Sequence, residues 1–189
     1  MKQTILTAAV ALAALGATTP DVAEARPRPA GRQSSFEANK KFGLGLELGD
    51  VSGLTGKYFL SPSSALDFGV GAFGYRTWRN RYAGAGGGLH LYLDYLYHPL
   101  SLASTEPFEL PLYFGIGGRL WSYDYDFDGR NDRDFALGLR APLGIAFDFN
   151  NVPIDIFVQF AFTFDVVHRY YDDFYFGAEF SVGLRYFFN

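Results

Sequence analysis

The sequence predicts an all-β fold, an eight-stranded antiparallel transmembrane β-barrel, and three observations lead to this prediction. Aromatic residues make up 19% of the 189 residues and there are 22 glycines, both high values for a soluble domain. The last segment, 174–188, alternates apolar residues with small or charged ones, which gives a strand one apolar face. Eight segments of this kind follow residue 41 without helical periodicity, and an even number of strands suits a closed membrane barrel.

The first 41 residues are predicted to lie outside the barrel. Lys2 precedes an apolar run over 5–15 and the small-x-small pattern Ala23-Glu24-Ala25, which is typical of a secretory signal peptide over residues 1–25. The run is too short for a transmembrane helix, which needs about 20 residues, and an uncleaved anchor is the alternative. Residues 26–41, rich in proline and polar residues, are predicted to be a flexible segment ahead of the barrel domain, 42–189.

Composition narrows the function classes further. The formal net charge is −4 at pH 7, and this mild acidity gives no argument for nucleic-acid binding. The chain has no cysteine, so the fold must hold together without disulfides.

The first three predicted strands are joined by compact turns. Strand 42–49 alternates large apolar residues with glycine and glutamate, and the turn residues 50–53 separate it from the short strand 54–60. The turn 61–64, Ser-Pro-Ser-Ser, then leads to strand 65–75, in which glycine again alternates with larger residues.

The next two predicted strands are flanked by longer connections. The polar loop 76–82 precedes strand 85–97, which carries leucine or tyrosine at alternate positions near its end. Prolines in the segment 98–109 predict an irregular loop, after which strand 110–121 begins.

The last three predicted strands complete the barrel. The polar loop 122–134 precedes strand 135–148, the turn 150–153 precedes strand 154–165, and a polar loop over 166–173 precedes strand 174–188. With the N-terminus in the periplasm, the three polar loops all fall on the outer side and the compact turns 61–64 and 150–153 on the periplasmic side. This asymmetry is typical of outer-membrane barrels, and only the long periplasmic segment 98–109 departs from it.

The positions of the glycine residues predict which face of the strands points into the barrel. Small residues suit the crowded interior of an eight-stranded barrel, whereas glycine on a water-facing strand only weakens it. The opposite face carries large leucine, phenylalanine and tyrosine side chains, which we expect to contact lipid. The glycines predicted to line the interior are Gly43, Gly45, Gly69, Gly71, Gly115, Gly117, Gly138, Gly144, Gly177 and Gly183.

Aromatic residues cluster near the predicted strand ends, as in the aromatic girdles of membrane barrels. The outer set comprises Tyr75, Trp78, Tyr82, Trp121, Tyr123, Tyr125, Tyr170 and Tyr171. The periplasmic set comprises Tyr95, Tyr97, Tyr186 and Phe188.

The inward face also carries charges of both signs. Because buried charges must be paired or hydrated, we expect an internal polar network formed by Glu47, Lys57, Asp67, Asp94, Arg119, Arg140, Glu179 and Arg185. His90, Asp148, Asp155 and Gln159 lie on the same face. A narrow pore is the alternative, although eight strands leave no open channel once side chains fill the interior.

One loop has the spacing of a calcium site. Asp124, Asp126 and Asp128 alternate ahead of Gly129, and Asp132 follows. Oxygen ligands at alternate positions suit Ca²⁺, but Phe135 stands where a bidentate glutamate is expected. Weak Ca²⁺ binding is therefore one hypothesis, a solvated hairpin loop is the other, and no further cofactor is predicted.

A lipid-modifying enzyme is the alternative from a different class. His168 in the last polar loop lies near three aspartates, and a histidine that activates a serine is the required chemistry. The nearest loop serine, Ser122, belongs to a different loop, so no local motif joins the two. We therefore predict no catalytic residues.

Three segments carry a resemblance to a known family: Phe42–Tyr58, Leu110–Leu120 and Leu139–Ala146. Together they resemble a family of small bacterial outer-membrane barrels of unassigned function, and the chain is more broadly similar to the membrane domain of OmpA and to OmpX over about residues 42–189. The resemblance implies an outer-membrane barrel and supplies no catalytic residues. Gly183, Tyr186 and Phe188 resemble the C-terminal signal read by the barrel-insertion machinery, although Asn189 follows the last aromatic residue.

The sequence therefore predicts a monomeric barrel of the bacterial outer membrane with a structural or surface-interaction role. The expected partners are outer-membrane lipids and lipopolysaccharide, the barrel-assembly machinery and periplasmic chaperones, with an extracellular ligand at the outer loops left open.

Overall fold

The computed structural model describes residues 35–73, 88–127, 130–167 and 175–188. Within these ranges the chain forms eight antiparallel strands that close into one barrel, in which β1 pairs with β8. The strands are β1 Phe42–Gly49, β2 Val51–Ser61, β3 Ser64–Phe73, β4 Leu89–Ser104, β5 Phe108–Phe127, β6 Arg130–Phe149, β7 Ile154–Val167 and β8 Tyr175–Phe188. The predicted fold class is confirmed. No helix in the described part of the chain is long and apolar enough to cross a membrane.

The pairing register determines how strongly the strands are staggered. One row of paired residues runs around the barrel through Gly43, Lys57, Asp67, Asp94, Gly117, Arg140, Thr163 and Gly177. Gly43 itself pairs with Phe187 on β8, ten residues beyond Gly177. A stagger of this size tilts eight strands by about 40° and leaves an interior that side chains can fill.

The two faces of the strands have opposite environments. In β8 the even positions from Phe176 to Phe188 are exposed, whereas the odd positions from Glu179 to Phe187 are buried. Large exposed apolar side chains occur on all eight strands, and Leu46, Ile116 and Phe176 expose 63%, 63% and 67% of their surface. An apolar surface of this extent is unfavourable in water and suits contact with lipid.

Both ends of the described chain lie at one end of the barrel, which we call the terminal end, and the opposite end is the loop end. Aromatic rings on the outer surface contact one another at the terminal end. The ring centroids of Tyr97 and Phe114 are 5.9 Å apart, and those of Tyr186 and Phe188 are 5.1 Å apart, both edge to face. The predicted periplasmic girdle residues are all exposed on the outer surface toward this end, Tyr95 and Tyr97 on β4 and Tyr186 and Phe188 on β8.

Two predicted loops are instead parts of long hairpins. The segment 98–109 was predicted to be irregular, yet β4 continues to Ser104 and β5 begins at Phe108. Its prolines are tolerated because Pro99 falls at a register shift and Pro107 lies in the turn, where a missing N–H removes no ladder hydrogen bond. The polar segment 122–134 likewise forms a hairpin, in which β5 reaches Phe127 and β6 starts at Arg130.

The turn between β1 and β2 is tighter than predicted. Gly49 adopts a φ of 146°, which favours glycine, and β2 begins two residues later at Val51. The backbone N–H of Asp50 donates to the carbonyl of Phe180 at 2.9 Å, and its carboxylate accepts from the N–H of Phe180 at 2.8 Å. Burial raises the pKa of Asp50 above its ordinary value. This reciprocal pair fastens the turn to β8.

The segment predicted to be flexible, 26–41, is described from Ser35 onward, and these residues pack against the barrel. Phe36 is only 2% exposed and belongs to an apolar cluster inside the terminal end. The prediction for 35–41 is thus corrected, because an aromatic and a lysine side chain provide contacts that a polar linker lacks. The predicted signal peptide lies outside the described residues.

Glycines beneath aromatic rings shape the barrel interior. Four rings face a glycine that is the direct register partner on the neighbouring strand: Tyr92 over Gly69, Tyr113 over Gly144, Phe157 over Gly183 and Phe187 over Gly43. A Cβ atom added to Gly183 would lie 2.4 Å from the ring of Phe157. The inward glycines therefore make room for specific rings.

We expect Gly183→Ala to destabilise the barrel by about 1–3 kcal/mol, because the added methyl group must displace the Phe157 ring. Urea unfolding of the protein in lipid vesicles measures the difference. Gly118→Ala is the matched control, since its Cβ would meet its nearest neighbour at 3.6 Å. Equal stabilities of the two variants would contradict the ring-over-glycine packing.

Candidate functional site

The interior of the barrel contains a continuous network of charged side chains, and Glu179 is its centre toward the loop end. Its carboxylate pairs with the guanidinium of Arg119, lies 3.2 Å from Nε of Arg140, and lies 3.3 Å from Nε2 of His90. All four side chains are almost completely buried. The cost of burying one carboxylate is therefore offset by several donors around it.

Arg119 joins this centre to β7. Its NH2 and Nε groups donate to the two carboxylate oxygens of Asp165 at 2.8 and 3.1 Å, a bidentate geometry. Nε1 of Trp121 also donates to Asp165, at 3.4 Å. Trp121 is 8% exposed and lies inside the barrel, so its predicted place in the outer aromatic girdle is wrong.

Arg140 links the network to the middle of the barrel. Its NH1 atom is 3.3 Å from the carboxylate of Asp94, and its guanidinium lies 4.0 Å from the ring centroid of Tyr92. The hydroxyl of Tyr92 donates to Glu47 at 3.0 Å and lies 3.2 Å from the hydroxyl of Thr55. Tyr92 therefore contacts a cation, a carboxylate and a hydroxyl group, each from a different strand.

Arg185 continues the network toward the terminal end. It donates through Nε to Thr55 at 3.3 Å, and its NH2 atom is 2.8 Å from Asp67. A longer ion pair of 3.7 Å reaches Asp155, and the guanidinium lies 3.8 Å from the ring of Phe157. The two arginines of the middle barrel thus each combine carboxylates with an aromatic face.

Aromatic rings surround the ammonium of Lys57. Its ammonium lies 4.5 Å from the ring centroid of Tyr113 and 5.6 Å from that of Phe59. Nε2 of His98 is 3.4 Å from the same ammonium, and Nδ1 of His98 is 3.3 Å from the carbonyl of Ser63. Toward the terminal end the interior therefore adds a cluster of aromatic rings to its charged side chains.

The structure brings together the eight residues of the predicted polar network. Glu47, Lys57, Asp67, Asp94, Arg119, Arg140, Glu179 and Arg185 are all at most 3% exposed and point inward. Sequence reasoning missed the inward aromatic residues, Tyr92, Tyr113, Phe157 and Phe187. Strand parity could have found them, because each is two residues from a small or charged residue of the inward face.

Three of the predicted calcium ligands lie on the paired strands of the β5–β6 hairpin. Asp124 pairs with Arg133 and Asp126 pairs with Asn131, while Asp132 pairs with Tyr125 between them. Asp128 and the side chains of the other three lie outside what the structure describes, so the site stays a prediction. Among the described residues, no group of three or more His, Asp or Glu side chains is placed to hold a metal ion.

The proposed serine of the enzyme alternative is buried on the outward-facing side of β5, the side of its register partner Phe135. Ser122 is 4% exposed, and its hydroxyl accepts a hydrogen bond from the backbone N–H of Leu89 at 3.0 Å. His168 lies outside the described residues. His90, which the sequence places on the inward face, is fully buried beside Glu179.

The residues of the predicted assembly signal have different surroundings in the folded barrel. Gly183 lies beneath the Phe157 ring, whereas Tyr186 and Phe188 are exposed by 40% and 37% on the outer surface. The ring of Phe188 also lies 6.2 Å from that of Phe42 on β1, across the strand pair that closes the barrel.

Comparisons with known proteins agree with this architecture. No protein-family model and no curated protein matches the chain. The N-terminal β-barrel domain of Pseudomonas aeruginosa OprF matches with a TM-score of 0.53 and 13% identity, covering 85% of this chain and 100% of that one. Ail, the attachment invasion locus protein of Yersinia pestis, matches with a TM-score of 0.38 and 13% identity, covering 83% and 99%. The likeness to the OprF domain shows that the chain has the fold of an outer-membrane β-barrel, as its sequence predicts.

We expect Glu179→Gln to lower the free energy of unfolding by about 3 kcal/mol, because it removes a buried charge that Arg119 and Arg140 share. Urea unfolding in lipid vesicles, followed by tryptophan fluorescence, measures the loss. Glu37→Gln is the control, since Glu37 is exposed. A loss below about 0.5 kcal/mol for Glu179→Gln would show that the shared carboxylate is not a stabilising centre.

We expect Phe188→Ala to reduce the amount of barrel inserted into cell envelopes, because it removes the last aromatic residue of the predicted assembly signal. Phe176→Ala is the control, since Phe176 is also exposed on β8 but lies near the loop end. Quantification of folded protein in isolated outer membranes compares the two. A normal yield of Phe188→Ala would remove this residue from the signal.

Proposed function

We propose that this protein is an integral barrel of the bacterial outer membrane, closed to solutes, with a structural or surface-interaction role exerted at its loop end. The single observation that carries the proposal is the filled interior, in which a network of charged side chains adjoins a buried aromatic cluster. A barrel of this kind presents its loops without conducting.

The outer surface supports the location. Exposed large apolar side chains, mostly leucine and phenylalanine, occur on every strand, and aromatic rings contact one another at the terminal end. This distribution is typical of barrels in lipid, with rings at the interface. In this orientation the terminal end faces the periplasm, and the hairpin of β5 and β6 faces the cell exterior.

The interior contacts argue against a pore. Arg119, Arg140 and Arg185 each reach carboxylates on other strands, so their side chains cross the lumen. At the terminal end, Phe59, Tyr113 and other rings occupy the remaining width. An ion crossing this interior has to break several buried ion pairs, each costly to disrupt.

The burial of Ser122 weakens the enzyme alternative, which needs this serine as a nucleophile activated by His168. The hydroxyl of Ser122 is buried against β4 and accepts a backbone hydrogen bond, which a nucleophile at an exposed rim does not do. A role at the cell surface needs no such group.

Two measurements test the proposed function. In planar lipid bilayers, we expect no stable single-channel steps from the purified barrel, with a sixteen-stranded porin as the positive control for insertion and conduction. Regular conductance steps from this protein would contradict the sealed interior.

Mass spectrometry of envelope lipids separates the surface role from the enzyme. We expect the same lipid profile in cells with and without the protein. A lipid species that appears only when the protein is expressed would overturn the surface role in favour of lipid modification.

A further inference from the structure

Residues 35–41 cross the mouth of the barrel at the terminal end. Their backbone is attached on the side of β2: the N–H of Ala38 donates to the carbonyl of Pro62 at 2.7 Å, and the carbonyl of Lys41 accepts from the N–H of Phe59 at 2.8 Å. These bonds continue the pairing of β1 with β2 and direct the preceding residues over the opening.

Phe36 fills the mouth. It is 2% exposed, and its ring centroid lies 6.1 Å from that of Phe59 and 5.3 Å from that of His98. Phe187, Tyr113 and Ala146 belong to the same buried cluster. The strands therefore form an aromatic socket, and the ring that enters it comes from outside the barrel domain.

Lys40 attaches the segment to the opposite wall. Its ammonium pairs with the carboxylate of Asp148 and donates to the carbonyls of Phe149 at 2.8 Å and Ile154 at 3.2 Å. Three acceptors match the three protons of a lysine ammonium, and Lys40 is 5% exposed. Because β6 and β7 lie across the barrel from β2 and β3, the segment is held on both sides of the opening.

We propose that the terminal mouth is a docking site for a peptide segment that presents an aromatic ring and, four residues later, an ammonium group. Residues 35–41 of this chain occupy the site as an intramolecular plug and close the interior from the terminal side. The plug covers Lys57 and His98, which lie directly behind Phe36. This inference does not depend on the surface role proposed for the loop end.

The absence of cysteine from the sequence makes the plug testable by thiol chemistry. Ala146→Cys places a probe inside the cluster that Phe36 enters, at a position only 2% exposed. Folded protein in lipid vesicles is treated with a small sulfonated methanethiosulfonate, and the rate of labelling is measured. We expect Phe36→Ala and Lys40→Ala each to raise this rate at least tenfold, while Glu37→Ala, at an exposed position, leaves it unchanged.

A second probe separates release of the plug from general loosening of the barrel. Ala136→Cys lies at the loop end, fully buried beside Trp121. We expect its labelling rate to be the same with Phe36 or with alanine at that position, and heat-modifiable gel migration to report a folded barrel in every variant. Equal labelling of the Ala146 probe in all backgrounds would overturn the plug. A parallel rise at the Ala136 probe would overturn it too, because it reports a loosened barrel.

Discussion

The limited width of an eight-stranded barrel is the constraint on which the rest of this structure depends. Eight strands with this stagger enclose a space that side chains fill completely, so every inward position must be small, paired or stacked. Glycines lie beneath aromatic rings, and arginines pair with carboxylates. The carboxylate of Glu179 lies beside Arg119, Arg140 and His90. The outer face has no such requirement, and its large apolar side chains need only contact lipid.

The interior has two regions that close the barrel by different means. Toward the loop end, ion pairs join strands that are not neighbours, as between Arg119 on β5 and Glu179 on β8. Toward the terminal end, rings from several strands surround Lys57, and a residue preceding β1 enters the same cluster. The segment that precedes β1 is held there both by aromatic packing and by the ion pair of Lys40 with Asp148.

Much of the barrel could be predicted from the sequence because its signal is period two. Alternation identified the strands, their inward glycines and the charged residues of the interior, since a strand with one face in lipid cannot shift by one residue. Trp121 shares its face with Arg119, so the same parity puts it inside the barrel although its position near the strand end is typical of a girdle residue. The ends of the hairpins were less predictable, because polar residues occur both in loops and in strands that extend beyond the membrane. The position of Phe36 could not be predicted, since it depends on contacts with strands distant in sequence.

The rings that lie over glycines have a consequence for how such a barrel changes over time. In each of these pairs an aromatic ring occupies the space that a side chain on the glycine would need. The size of that space is fixed by the distance between adjacent strands. Tyr113 and Gly144 can therefore exchange their sizes, but neither can grow alone. Divergence at these positions is expected to proceed by coupled pairs across strands, so that the interior volume is inherited even where the identity of the ring is lost.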